Sequence, residues 1–222
     1  MAGKRTAPLA VTGAGTVLTG AEPDDAVRED GRGLTIGVLA VQGAFVEHER
    51  VLRELGANTV ELRQLADVDA GLDGLVLPGG ESTAQHLLLE ELGMLEPLRE
   101  RIRAGLPVLA TCAGMILLAS QVRGGGEPCF ATIPMTVLRN AYGRQIDSFH
   151  ATGELAGIGQ VPMTFIRAPY VQEVGEGVEI LSRVDGNVVA VRYGRQLALS
   201  FHPELDGSRE IHRAFLRLVR RG

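Results

Sequence analysis

The chain has 222 residues, 45% hydrophobic and 22% charged, enough for one well-buried domain, whereas a second full domain would leave both cores thin. A net charge of −5 excludes the basic footprint of a nucleic-acid-binding protein. No apolar stretch approaches the roughly 20 residues of a membrane-spanning helix, and the start MAGKRTAPLAVTGAG is too poor in apolar residues for a secretory signal.

Residues 1–33 are rich in Gly, Ala, Thr, Asp and Glu without sustained periodicity, and read as a flexible leader before a domain spanning 34–222. Gly13 and Gly15 open a superficial phosphate-loop pattern, but the third glycine falls at Gly20 and no strand-to-helix unit surrounds them. From Leu34 the chain alternates short apolar runs with helical patterns. LTIGVLAV is a strand, Phe45 to Leu55 a helix, TVELR and GLVLP strands, Ser82 to Leu92 and Leu95 to Ala104 helices, PVLAT a strand, and Ala113 to Gln121 a helix. Such alternation predicts a parallel sheet. After Gly126 the segments MTFIRAP, VEILSRV and NVVAVRY are β-like, with Asp185-Gly186 as a hairpin signal. QLALSFHP reads as the last strand, and Ser208 to Arg220 as a helix with Ile211, Phe215, Leu218 and Val219 on one face.

Cys112 lies where a buried strand gives way to a helix, in Ala110-Thr111-Cys112-Ala113-Gly114, close to the G-x-nucleophile-x-G pattern of a nucleophile elbow. A helix N-terminus favours a thiolate. Free cysteine also packs as an inert small hydrophobe, so the pentapeptide alone leaves both roles open. A base is available in LSFHPEL, where His202 follows an apolar run and Glu204 comes two residues later. Histidine can take a proton from a thiol, and a carboxylate can fix the imidazole tautomer. Taken alone, His-Pro-Glu is also an ordinary surface turn. In LPGGESTA, Pro78, Gly79 and Gly80 end a strand and Glu81-Ser82-Thr83 open a helix. The backbone amide of Gly80, with that of Ala113 after the elbow, suits an oxyanion hole; the plainer alternative is a βα turn with Ser82 or Thr83 as helix cap.

With these motifs, the chain from about 34 to 220 resembles the class I, triad-type glutamine amidotransferases, and among them the glutaminase subunits of two-subunit pyridoxal 5'-phosphate synthases. The segments that carry the resemblance are VLAVQGAFVEH, LPGGESTA, TCAGMILLA, RNAYGRQIDSF, FIRAPYV and SFHPEL, in that order. The resemblance implies a three-layer, open, mostly parallel, flavodoxin-like sheet. It implies Cys112 as nucleophile, His202 as base and Glu204 as its orienter, with Gly80, Glu81, Ser82, Arg139, Ile166 and Arg167 around L-glutamine. It further implies a (βα)-barrel synthase subunit as partner in a large hetero-oligomer, which accepts the ammonia. Alternatives are a glutaminase subunit of another amidotransferase and a non-catalytic regulatory subunit.

Two residues depart from the family pattern: Ala110 stands where glycine is usual, and His150 where an acidic residue is common. His48, His86, His150 and His212 show no ligand spacing, so no metal or other cofactor is expected, and His48 and His86 are expected to flank helices. With no C-x-x-C and no disulfide framework, Cys112 and Cys129 fit a reducing cytoplasm.

Overall fold

A computed structural model describes residues 30–139 and 148–221. Strands β1 (Thr35–Leu39), β2 (Asn58–Leu62), β3 (Gly74–Leu77), β4 (Val108–Thr111) and β12 (Gln196–Leu199) form the centre of the molecule. They lie side by side in the order β2-β1-β3-β4-β12, and every neighbouring pair among them is parallel. That is the strand order of flavodoxin-like sheets. Because β3 and β4 are covered on both faces, GLVL and the first three residues of VLAT are continuously apolar and carry no alternation.

The two faces are nonetheless distinct. Leu75, Leu77, Val108 and Ala110 point to one layer, which holds α3 (Ser82–Glu91), α4 (Leu95–Arg103) and α5 (Ala113–Leu118). Val76 and Leu109 point to the other, which holds α1 (Phe45–Glu54), α6 (Glu210–Arg220) and the hairpin of β7 (Ser148–Leu155) with β8 (Gly159–Ile166). In α1, Val51, Leu52 and Leu55 make the buried stripe, and in α6 Ile211, Phe215, Leu216 and Val219 do so. Leu218 is partly buried against the same cluster.

Beyond β12 the sheet continues as β11 (Asn187–Tyr193), β9 (Tyr170–Val174), β6 (Ile133–Leu138) and β5 (Ala119–Arg123), ten strands in all among the described residues, with β10 (Glu179–Val184) paired to β11. This half is mostly antiparallel. At the β10–β11 turn Asp185 and Gly186 both have positive φ, 49° and 82°, the pair of conformations that a two-residue hairpin needs. The helix expected to run to Gln121 stops at Leu118. Ala119 is extended, with φ −66° and ψ 137°, because residues 119–123 pair with β6 as β5. A short helix, α2 (Leu65–Val68), was not legible as a hydrophobic repeat; a Gln64/Asp67 capping box defines it.

Contacts with the domain reach back to Asp30. The Gly31 amide donates to the Leu55 carbonyl (2.9 Å), and Arg220 donates to the Asp30 and Arg32 carbonyls (3.0 and 2.9 Å). Residues 1–29, most of the stretch expected to be a leader and including Gly13, Gly15 and Gly20, lie outside the described residues, as do 140–147 of the RNAYGRQIDSF segment.

Candidate active site

The parallel strands deliver their carboxyl ends to one edge of the sheet, and the chemistry-bearing residues collect there. β4 ends at Thr111. Cys112 then takes φ 48° and ψ −103°, a conformation that costs a non-glycine residue on the order of 1–3 kcal/mol, and α5 starts at Ala113. Neighbouring strands hold this turn: the Cys112 amide donates to the Leu199 carbonyl (2.8 Å). Gly114 lets α5 press on β3, since a Cβ there would lie 2.1 Å from the Leu77 carbonyl oxygen. Ala110 is fully buried between Leu77 and Ala198, so the departure from glycine places one methyl group in the core and leaves the turn intact.

His202 comes from the next strand. Its amide donates to the Thr164 carbonyl (2.8 Å), and Pro203–Leu205 form one 3-10 turn that swings Glu204 back beneath the imidazole. His202 Nδ1 donates to Glu204 Oε1 at 2.7 Å, which leaves Nε2 as the nitrogen for the Cys112 side. Burial disfavours an imidazolium here. The hydrogen bonds and charges of Cys112 and Glu204 outweigh it and raise the His202 pKa to about 10. For Glu204, burial likewise opposes ionisation, but His48 and His202 hold its carboxyl below the ordinary value.

The third loop follows β3. The Gly79 amide donates to Thr111 Oγ1 (3.0 Å), the Ala44 amide donates to the Gly79 carbonyl (2.9 Å), and the Glu81 amide donates to Gln42 Oε1 (2.7 Å). Gly79 has to be glycine: a Cβ would sit 2.2 Å from His202 Cε1. The cap of α3 is neither Ser82 nor Thr83 but Glu81, whose carboxylate accepts from the amides of Thr83 (3.1 Å) and Ala84 (2.7 Å). Those donors, with Arg139, overcome the effect of burial and keep the Glu81 carboxyl below its usual pKa.

All six residues expected around glutamine meet Cys112 in one pocket, lined by Gly80, Glu81, Ser82, Cys112, Ala113, Ile116, Arg139, Ile166, Arg167 and Pro169. Arg139 Nη2 donates to Glu81 Oε1 (3.0 Å) and Nη1 to Thr83 Oγ1 (3.2 Å). Ile166 presents its carbonyl 3.9 Å from Cys112 Sγ, and Arg167 follows with φ 44°. His150 is outside this pocket, where its Nδ1 meets Thr164 Oγ1 at 2.8 Å.

His48 does not flank a helix; it lies within α1, fully buried, with Nε2 at 3.1 Å from Thr111 Oγ1 and 3.3 Å from Glu204 Oε2. Its Nδ1 is 3.0 Å from Nε2 of the buried His212 on α6. The spacing 48, 51, 52, 55 puts it on the apolar stripe of α1, a signal present in the sequence. His86 lies within α3, with Nε2 3.4 Å from Glu90 Oε1.

The fold is that of the class I glutamine amidotransferases. Residues 38–221 match the SNO glutamine amidotransferase family, and the chain belongs to that family. Among its relatives, the pyridoxal 5'-phosphate synthase subunit PdxT of Desulfitobacterium hafniense (strain Y51) is 59% identical over 183 residues, covering 82% of this chain and 92% of the relative. The subunit of the same name from Methanocorpusculum labreanum is 53% identical over 186 residues, covering 84% and 98%. A solved glutamine amidotransferase superposes with a TM-score of 0.79 at 43% identity, covering 83% of this chain and 98% of that one. The structure of PurLQS from Thermotoga maritima shares the fold alone, with a TM-score of 0.63 at 12% identity.

Proposed function

We infer that the chain hydrolyses L-glutamine to glutamate and ammonia, and that it is the glutaminase subunit of a pyridoxal 5'-phosphate synthase. The observation that carries the chemistry is that Cys112 lines the pocket that holds Arg139, Arg167 and Glu81 and interacts with His202, an imidazole whose neighbours favour its charged form. The pocket's charges match a free amino acid: the two guanidinium groups suit the α-carboxylate and the Glu81 carboxylate suits the α-ammonium.

With glutamine so placed, the Cys112 thiolate attacks the side-chain amide carbon. The oxygen of the tetrahedral intermediate takes the negative charge and is met by the amides of Gly80 and Ala113, the latter the first amide of α5 and without an intrahelical acceptor. His202 gives its proton to the departing nitrogen, the C–N bond breaks, and ammonia leaves a glutamyl thioester. Cys112 is now uncharged. The part of the His202 shift that came from the thiolate is lost, so the imidazole moves towards the range of a general base. It takes a proton from water, which attacks the thioester; glutamate departs and the thiolate–imidazolium pair is restored.

Ammonia released to water is wasted, so an acceptor subunit belongs beside the pocket. The partner we propose is a (βα)-barrel synthase subunit in a large hetero-oligomer, working in a reducing cytoplasm where both thiols stay free. The test is glutamate release by this chain alone, with that synthase subunit, and with an unrelated amidotransferase acceptor. The matching synthase is expected to stimulate turnover by roughly 5–150-fold, the scale of ordinary coupling free energies. Equal rates in all three would remove the partner and leave a generic glutaminase.

A further inference from the structure

We propose that His48 is a positioning residue for the reaction: it holds Glu204 beneath His202 and, through Thr111, fixes the Gly79 turn, with His212 setting its tautomer. The inference rests on the glutaminase reading of the Cys112 pocket.

The tautomer follows from the contacts. His48 and His212 are both fully buried, and desolvation holds the pKa of each below the ordinary imidazole value, so both are neutral at pH 7. Only one proton can lie between His48 Nδ1 and His212 Nε2, which are 3.0 Å apart. If His48 supplied it, His48 Nε2 would turn a lone pair towards the Glu204 carboxylate, 3.3 Å away. His212 would then carry its own proton on Nδ1, which has no hydrogen-bond partner among the described residues, and a buried orphan N–H is costly. If His212 supplies it, both problems vanish. His212 Nε2–H donates to His48 Nδ1, and the unpartnered His212 Nδ1 is only a lone pair. His48 Nε2–H then points into the space between Thr111 Oγ1 and Glu204 Oε2.

That single N–H serves two parts of the site. Glu204 Oε1 holds His202, while Oε2 has no aligned hydrogen bond of its own; the approach of His48 Nε2 at 3.3 Å lies outside hydrogen-bond geometry and acts as a charge–dipole contact. Removing it takes that dipole away from a buried carboxylate oxygen and frees the carboxylate to rotate away from His202. Thr111 Oγ1 accepts from the Gly79 amide at 3.0 Å, and a donated hydrogen bond from His48 fills its second acceptor position. The orienter of the triad and the turn that carries the Gly80 amide therefore meet at one imidazole nitrogen.

The test is steady-state glutamate release by the full chain in complex with its synthase partner, comparing wild type with His48→Gln, His48→Asn and His48→Leu. A glutamine side chain carries its amide nitrogen to the place of Nε2, whereas an asparagine reaches only the place of Nδ1. His48→Gln should keep kcat within about fivefold of wild type. His48→Asn and His48→Leu should each lower kcat by about 10–100-fold, part of the 10²–10⁴-fold that a placed base contributes, with KM for glutamine within about twofold. The Asn and Gln pair keeps the outcome decisive even if His48→Leu does not fold. Equal impairment of Gln and Asn, wild-type kcat in a folded Asn variant, or a loss confined to KM overturns the proposal. Failure of the wild-type complex to release glutamate would overturn the glutaminase reading instead.

Discussion

The two cysteines are both buried but in different surroundings, and the contrast bears on why only one of them suits the proposed chemistry. Cys129 lies under α4, 2% exposed, and burial pushes its thiol up to about 12, only partly offset by Arg99. The Arg99 guanidinium donates to the carbonyls of Cys129 and Phe130 and pairs with the Glu96 carboxylate. Cys112 is hardly more exposed, at 8%, yet it faces an imidazole charged by its own partners. Desolvation alone makes a thiol inert; desolvation beside an imidazolium whose counter-carboxylate is locked makes a nucleophile.

The sharpest break in this comparison is to exchange the two residues for alanine in turn. Cys112→Ala should leave less than a few per cent of glutamine hydrolysis while the cooperative melt and partner binding persist. Cys129→Ala should leave turnover within about twofold and lower stability by about 1 kcal/mol, the centre of the range for single substitutions. Next in size is the imidazole. His202→Asn should cut kcat by about 10²–10⁴-fold and Glu204→Gln by less, because the carboxylate acts through the base; the reverse order would mean that the roles are misassigned. On the substrate side, Arg139→Ala should raise KM for glutamine by about 10-fold, from the loss of one charge-assisted hydrogen bond of about 1.5 kcal/mol, with kcat little changed.

An effect on stability alone comes from the buried imidazoles behind the site. His48 and His212 have pKa values below the ordinary 6.5, so below that pH the unfolded chain binds protons that the folded chain refuses. Stability therefore falls as the pH drops from about 6.5, by at most about 1.4 kcal/mol per pH unit for each histidine. Glu204, held low in the fold, adds to the loss as the pH falls below its ordinary 4.5 towards its folded value. His202, raised in the fold, is protonated in both states below 6.5 and adds nothing there. Urea unfolding between pH 6.5 and 5 measures this, and a flat profile there would show that both buried histidines titrate freely; above 6.5 the raised His202 has the opposite sign, and stability falls as the pH rises.

Much of this site was legible in the sequence. Cys112, His202 and the Gly79-Gly80 turn each follow a buried parallel strand, where apolar runs and small residues mark strand end and turn. Glycine-rich spacing also reported real steric limits, as the closeness of Gly79 to His202 demonstrates. What was not legible depends on packing between distant segments. His48 shares the apolar stripe of α1, but nothing in the sequence says that α6 and β4 bring His212 and Thr111 to it. The end of α5 was missed for a related reason: Ala119-Ser120-Gln121 has no intrinsic objection to a helix, and pairing with β6, a partner beyond the Gly124–Gly126 turn, makes it a strand. Glu81 as cap of its own helix was overlooked because Ser82 and Thr83 are the stronger cap residues by type, whereas the Gln42 bond to the Glu81 amide fixes the cap one residue earlier.

The central claim is that Cys112 is the nucleophile of a glutamine pocket. A chloroketone analogue of glutamine, which carries an electrophilic carbon in place of the side-chain amide, tests it most directly. The full chain in complex with its synthase partner is incubated with one equivalent at pH 7, digested, and mapped by mass spectrometry. Modification of Cys112 alone, in a rate-saturable reaction that excess L-glutamine blocks, is the expected result. Modification of Cys129, or labelling of Cys112 that glutamine does not slow, would contradict it.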